Sequence, residues 1–316
     1  MGVDLGGTKM HAGLVDDAGE VLHHATELEF GDSADAILDA LAAKVGEAFA
    51  ARPDAVADAV GLGIPCTIDR ATGTAISAVN LPIVDVPVRD EMRRRLDLPV
   101  FVDNDANMAA LAEHRFGAAR GADNVVMLTI GTGIGGGLIL DGRIYRGATG
   151  AGAELGHVVV DADGPPCQGN CPNNGCIETL ASGTALARQG RAAARGAPES
   201  RLGQMAQAED WIDGRAVVEA AVAADTVARE LVTRAGRNIG VALSSIANVF
   251  EPDVIVLGGG VMAAGELMLA PARSELEARA LPPMNRTPVV AAGLGPDAGM
   301  IGAATMALDE LAAVTS

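Results

Sequence analysis

The sequence predicts an α/β protein of two domains built around a duplicated core. Three observations carry that expectation. The chain has 316 residues, enough for about two domains with sizeable cores. Strand-length apolar runs alternate with helix-length amphipathic stretches along most of it. One unit, a strand entering a Gly/Thr turn and returning as a strand, occurs twice, at Asp4–Lys9 and at Gly131–Gly137.

Bulk composition narrows the function classes. Hydrophobic residues at 49% and charged residues at 20% belong to a soluble globular chain. A net charge of −18 argues against a nucleic-acid partner, because phosphate backbones need a basic surface. The chain reads MGVDLGGTKM at its start, without a basic leader or apolar signal core, and no apolar run approaches a membrane span. The expectation is a cytoplasmic protein with no membrane partner. In a reducing compartment, clustered cysteines read as metal ligands before they read as disulfides.

The first motif closes a short strand, Met1–Leu5, with Asp4-Leu5-Gly6-Gly7-Thr8-Lys9. Such a turn exposes consecutive backbone N–H groups, and only glycine allows a phosphate this close. Asp4, at the strand end, can hold Mg²⁺ beside those phosphates. Residues 11–17 and 20–30 read as two further strands around the turn Asp16–Gly19, and residues 34–50 as an amphipathic helix. A buried strand over 57–64 ends in Gly63-Ile64-Pro65, and a polar excursion follows to Asn80-Leu81-Pro82. Asn80 is either a turn former or a ligand for a polar substrate. A helix over 87–96 leads to a strand at 99–102 and then to Asp103-Asn104-Asp105-Ala106-Asn107, opening another helix. Capping that helix needs one polar residue, and four in five positions exceed the need. Polar groups at a strand's carboxyl end favour a ligand site, with Asp105 the candidate general base.

The second motif follows a strand near 124–130. Gly131-Thr132-Gly133-Ile134-Gly135-Gly136-Gly137 formally contains G-x-G-x-x-G, but a strand follows where a dinucleotide fingerprint requires a helix. The context favours a repeat of the first turn and a nucleotide's phosphates held between two domains. The stretch Glu154–Glu178 then gathers His157, Cys167, Cys171 and Cys176, a complete tetrahedral set for a structural Zn²⁺ with no position left for water. Glu154, His157 and Glu178 form a polar site that this metal would stiffen. Beyond it, 182–194 is helical, 196–214 reads as a polar connection carrying Trp211, and helices cover 215–225 and 226–248. A buried strand, Asp253–Leu257, runs into Gly258-Gly259-Gly260, a close-approach turn suited to a nucleotide's sugar and base. The last helix, 299–313, is expected to pack back on the first domain. That gives a small domain of 1–107 plus about 299–316 and a large domain of 108–298 containing the zinc loop.

In fixed order, DLGGTK, NDAN at 104–107, GTGIGGG at 131–137, ELGH at 154–157, the Cys-rich segment ending GCIE and LGGGV at 257–261 resemble the ROK family (repressors, open reading frames and kinases), specifically its bacterial ATP-dependent glucokinases. The resemblance covers nearly the whole chain. It implies an actin-like, ribonuclease-H-like two-domain fold with an interdomain cleft. It also implies phosphorylation of glucose at its 6-hydroxyl by Mg-ATP, structural zinc, and a homodimer or homotetramer. By the same resemblance Asp105 is the base, while Asn104, Glu154, His157, Glu178 and Asn80 hold sugar hydroxyls. Asp4, Gly6, Gly7, Thr8, Lys9, Thr132 and Gly133 surround Mg²⁺ and the phosphates, and Gly258 and Gly259 lie near the adenosine.

Two features depart from the family pattern. The usual C-x-C-G-x-x-G-C-x-E is here C-x₃-C-x₄-C-x-E, which puts Cys167 in question as a ligand. The usual G-x-P-G is Gly63-Ile64-Pro65-Cys66. Mannose, fructose or an N-acetylated hexosamine as substrate, polyphosphate as donor, and a sugar-sensing regulator without catalysis are the alternatives.

Overall fold

The structure, a computed structural model, describes residues 1–6, 9–27, 31–55, 57–78, 81–169, 171–209 and 211–315. Gly7, Thr8 and Asn80 lie outside these residues. In chain order the described elements are β1 (Gly2–Leu5), β2 (Met10–Val15), β3 (Val21–Glu27), α1 (Ala34–Ala51), β4 (Val60–Ile64), β5 (Cys66–Asp69), β6 (Thr74–Ala78), β7 (Val84–Val86), α2 (Val88–Leu96), β8 (Val100–Asn104) and α3 (Asp105–Arg115). They continue with β9 (Val125–Ile130), β10 (Ile134–Leu140), β11 (Arg143–Ile144), α4 (Ile177–Ala181), α5 (Gly183–Gly196), α6 (Arg201–Glu209), α7 (Gly214–Val222), α8 (Thr226–Phe250), β12 (Val254–Gly258), α9 (Glu266–Arg279), β13 (Val289–Ala291) and α10 (Ala298–Thr315).

The chain forms two compact units. The first comprises Met1–Gly121, Gly137–Ala153 and Gly293–Ser316. Its sheet has the order β3-β2-β1-β4-β8, with β1, β2 and β3 antiparallel and β1, β4 and β8 parallel. Val3, Leu5, Val60, Leu62, Ile64 and Val100 on the parallel strands are buried, as expected of strands covered on both faces. α1 packs by the i, i+4 stripe Ile37, Leu41, Val45 and Ala48, and the Ser33 hydroxyl caps it by accepting from the Ala36 N–H. α10 packs on β1, β4 and α3. Gly2, Gly13 and Gly61 form one row across β1, β2 and β4, and a Cβ at any of them would collide with α10 at Met300 or Ala303. Absent side chains thus let the helix backbone lie directly on the sheet.

Three expectations change here. Gly295–Thr315 has the length and mean hydropathy (1.2) of a membrane span, although no such run was expected; 56% of it is buried, and its apolar surface serves the core of the first unit. The polar excursion after Pro65 is a three-stranded antiparallel sheet, β5-β6-β7, in which Cys66, Ile68 and Ala75, with Ile83 just before β7, are buried while Ile76 and Val84 are exposed among polar residues. The stretch 196–214 contains α6, which buries Leu202 and gives its N–H to Asp225 Oδ2 at 3.2 Å. One buried leucine per helix is too little periodicity to read.

The unit boundary also runs differently from the sequence expectation, which broke the chain within α3. α3 packs along α10, and the buried Glu113 carboxylate ties its end to the returning chain, accepting from the N–H groups of Ala118 (2.7 Å), Gly293 (3.0 Å) and Leu294 (2.8 Å).

The second unit comprises Ala122–Gly136 and Glu154–Ala292. β9, β12 and β13 are parallel, so each unit carries a parallel trio whose first strand ends in a glycine turn. α8 crosses α9 where Gly236 and Gly240 meet the backbone of Met268 and Ala272, an approach that a Cβ would block. In the first unit's segment Gly137–Ala153, the end of β10 pairs with β11 in a hairpin closed by Asp141 and Gly142 at φ 52° and 72°, the left-handed pair of a tight two-residue turn.

Candidate active site

In the first unit, the carboxyl ends of β1, β4 and β8 bring Asp4, Gly63 and Asp103 into one cross-strand row, followed directly by Asn104 and Asp105. The structure divides the polar turn by task. Asn104 is the cap of α3: its Oδ1 accepts from the N–H groups of Ala106 (2.9 Å) and Asn107 (3.3 Å), and its Nδ2 donates to the Cys66 carbonyl at 3.4 Å. Asp103 is buried; it accepts from Asn107 Nδ2 at 3.0 Å and from Arg146 Nε at 2.5 Å. Asp105 opens the helix and accepts from the Ala106 N–H at 2.9 Å. The sequence reading missed Arg146, since nothing in the sequence tells which arginine meets a buried aspartate.

Asp4 sits against the start of α10, where a Cβ on Gly299 would stand 2.5 Å from its carboxyl carbon. Burial, with the Asp105 charge acting in the same direction and Lys9 against both, raises Asp4 from 3.8 to about 7. The folded state therefore keeps a proton that the unfolded state has lost between about pH 4 and 7. Stability from this group falls as pH rises through that window. In chelator-treated protein, the thermal midpoint of wild type should fall between pH 5 and 7.5 relative to Asp4→Asn. Parallel curves for the two proteins would mean that Asp4 ionises normally. Nearby, Gly6 closes its turn by donating to the Lys9 carbonyl at 2.8 Å, and Lys9 is exposed. Cys66 is buried, and burial with Asp105 pushes its thiol up to about 12. It is a packed side chain and no nucleophile.

In the second unit, the glycine turn docks on the start of α5. The N–H groups of Gly183 and Thr184 donate to the carbonyls of Gly131 (2.8 Å) and Thr132 (3.2 Å), and the Thr184 hydroxyl also reaches Thr132. Glu178 Oε2 accepts from the Ile134 N–H at 2.8 Å, and a Cβ on Gly133 would collide with that carboxylate. A side chain at position 133 would therefore have to displace the Glu178 carboxylate from its bond to Ile134. Glu154 is open to solvent but crowded by protein. That crowding raises its carboxyl, with Glu178 adding to the rise and His157 opposing it. Gly258 ends β12, and Gly259, at φ 91°, lies so near Ile130 that no side chain fits.

The loop between Glu154 and Glu178 is a tight hairpin. Val160 and Ile177 donate to Gly175 and Val158, and Gly175 donates to Pro165. The ligand atoms of His157, Cys167, Cys171 and Cys176 all lie within 4.8 Å of one another. Cys167 Sγ is 3.4 Å from His157 Nδ1, and Cys171 Sγ is 3.8 Å from Cys176 Sγ. Zinc–sulfur bonds of about 2.3 Å at a tetrahedral angle put two sulfurs about 3.8 Å apart, so the donor set fits zinc in identity, number and spacing. The unusual x₃ spacing is absorbed in a turn that includes Gly169 at φ 60°, while the Cys167 N–H donates to the Asn173 carbonyl at 2.8 Å.

Comparison with known proteins decides the family. The ROK family model matches residues 1–310. The chain belongs to the ROK family. Among similar curated proteins, the glucokinase of Halalkalibacterium halodurans is 38% identical over 96% of this chain and 92% of its own. The glucokinase of Thermotoga maritima is 36% identical, with 97% and 96% covered. Among solved structures, a ROK family glucokinase from Streptomyces griseus, crystallised with glucose and AMPPNP, superposes at a TM-score of 0.87 with 38% identity and 98% of each chain covered. The architecture of this ROK protein is accordingly the actin-like, ribonuclease-H-like two-domain fold.

Proposed function

We propose that this ROK protein is a glucokinase that transfers the γ-phosphoryl group of ATP to the 6-hydroxyl of glucose. The observation that carries the reading is full-length similarity, at 36–38% identity, to three proteins that are each named glucokinase, one of them bound to glucose and a nucleotide analogue.

A sugar hydroxyl is a weak nucleophile, and the phosphoryl group it attacks bears repelling negative charge. Asp105 accepts the hydroxyl proton as the bond to phosphorus forms. Its own N–H neighbours and the Asn104 cap hold it at the first turn of α3. Glu154, His157 and Glu178 accept and donate hydrogen bonds to the remaining sugar hydroxyls, joined by Asn104 through the capacity its cap leaves, and by Asn80. Gly6, Gly7, Thr8, Lys9, Thr132 and Gly133 receive the phosphates, and Gly258 and Gly259 the adenosine. Asp4 would hold Mg²⁺, which when bound offsets phosphate charge. His157, Cys167, Cys171 and Cys176 would hold Zn²⁺. With Nδ1 of His157 turned to the cysteines, Nε2 is left for the sugar, and ligation through Nδ1 would fix both the tautomer and the direction of the ring.

A coupled ADP-release assay over a hexose panel tests the proposal. Glucose should give the highest kcat/KM with ATP as donor, and inorganic polyphosphate should not replace ATP. In Glu154→Ala, the glucose KM should rise severalfold, because the sugar hydroxyl loses its acceptor. No ADP release with any hexose would overturn the reading, and an unchanged KM would remove Glu154 from the sugar.

A further inference from the structure

A second cluster of metal-ligating atoms lies in the first unit, away from the cysteine loop in sequence and built from three elements. His11 on β2 stands opposite Thr26 on β3, and Gly13, two residues along β2, stands opposite His24. His11 and His24 are therefore diagonal partners on one face of an antiparallel pair, within reach of each other. Asp297 comes from the single turn just before α10. His11 Nδ1 is 3.3 Å from His24 Nε2, and His24 Nε2 is 3.3 Å from Asp297 Oδ1. All three ligand atoms lie within 4.8 Å of one another. The imidazole rings are tilted by 36° with centroids 5.3 Å apart, so they meet through their nitrogens rather than by stacking.

We propose that His11, His24 and Asp297 form a binding site for a divalent transition-metal ion. Metal–nitrogen and metal–oxygen bonds of about 2.0–2.1 Å at a tetrahedral angle separate neighbouring ligand atoms by about 3.3–3.4 Å. Both measured separations match that edge. Imidazole and carboxylate donors suit Zn²⁺, Ni²⁺ and Cu²⁺ better than Mg²⁺ or Ca²⁺. The Thr26 hydroxyl, 3.3 Å from His11 Nδ1, is the fourth polar group at the cluster. His24 and Asp297 are each 38% exposed, so an ion has access and can keep water in its remaining positions. An ion here clips β3, β2 and the start of α10 together, which adds stability by binding the folded state alone.

Co²⁺ is the probe, because thiolate-bound cobalt absorbs strongly through charge transfer whereas nitrogen and oxygen ligation shows only weak visible bands. Titration of the full chain should give one equivalent with the weak spectrum, and Co²⁺ or Zn²⁺ should raise the thermal midpoint. His24→Ala and His11→Ala should each weaken that equivalent by tenfold or more and abolish the metal-dependent midpoint shift. His23→Ala, one residue along β3 and on the other face, should retain both. Equal binding by wild type and both variants would place the ion elsewhere. No weak-spectrum equivalent in wild type would mean that the three side chains form a hydrogen-bonded chain only. Midpoints measured without metal check that the variants fold.

Discussion

Asp105→Asn is expected to lower kcat by about 10²–10⁴-fold and to leave glucose affinity largely intact, if Asp105 is the proposed base. The substitution is isosteric, and the structure gives it a clean reading. Asn at position 105 can still accept from the Ala106 N–H, and the cap of α3 belongs to Asn104, so the start of the helix keeps these bonds. What disappears is the proton acceptor. Charge removal also relieves Asp4, whose carboxyl Asp105 helps to raise. Steady-state kinetics with direct glucose titration separates these effects. A variant that kept most of its kcat would move the base to another group.

If the proposed zinc is bound, its removal is expected to be the second large effect and to reach catalysis through structure. Chelator-stripped protein should lose activity and thermal stability together, and Cys167→Ser should lose both in part. The hairpin 158–177 is short, rich in turns and held by few apolar side chains, so the four-donor cluster is its main crosslink. Burial, and then the neighbouring thiols, hold Cys167 at about 12, so ligation there requires a cation that displaces the proton. The loop ends at Glu178, whose carboxylate accepts from the Ile134 N–H and fills the space that glycine leaves at position 133. Loosening the loop should thus disturb the Gly131–Gly137 turn as well as the proposed sugar ligands. A metal-free protein with full activity and an unchanged transition would sink this coupling.

Much of the site could be read without coordinates because its signals are local. A glycine turn after an apolar strand, four donors within one loop, and an acidic turn opening a helix are each contained in a short run of residues. Hence the alternating architecture, the two glycine turns and the gathering of His157 with the three cysteines were legible, down to the expectation that one residue of the 103–107 turn must be a cap. Which residue caps could not be read, since Asp and Asn serve equally. Only packing assigned Asn104 to the helix and Asp103 to Arg146.

Elements stabilised by contacts rather than by pattern were the ones missed. The β5-β6-β7 sheet buries few residues and exposes Ile76 and Val84 among polar ones, so no clean alternation shows, and α6 buries little beyond Leu202. The final helix reads the same whether a membrane or a protein core covers it, and the glycine row Gly2, Gly13 and Gly61 shows that a core does. By itself, the sequence determined the chemistry available: which donors, carboxylates and glycines exist, and in what order. Tertiary structure alone decided which of them meet, because His11, His24 and Asp297, like Glu113 and Gly293, are far apart in the chain and brought together by a shared sheet and helix.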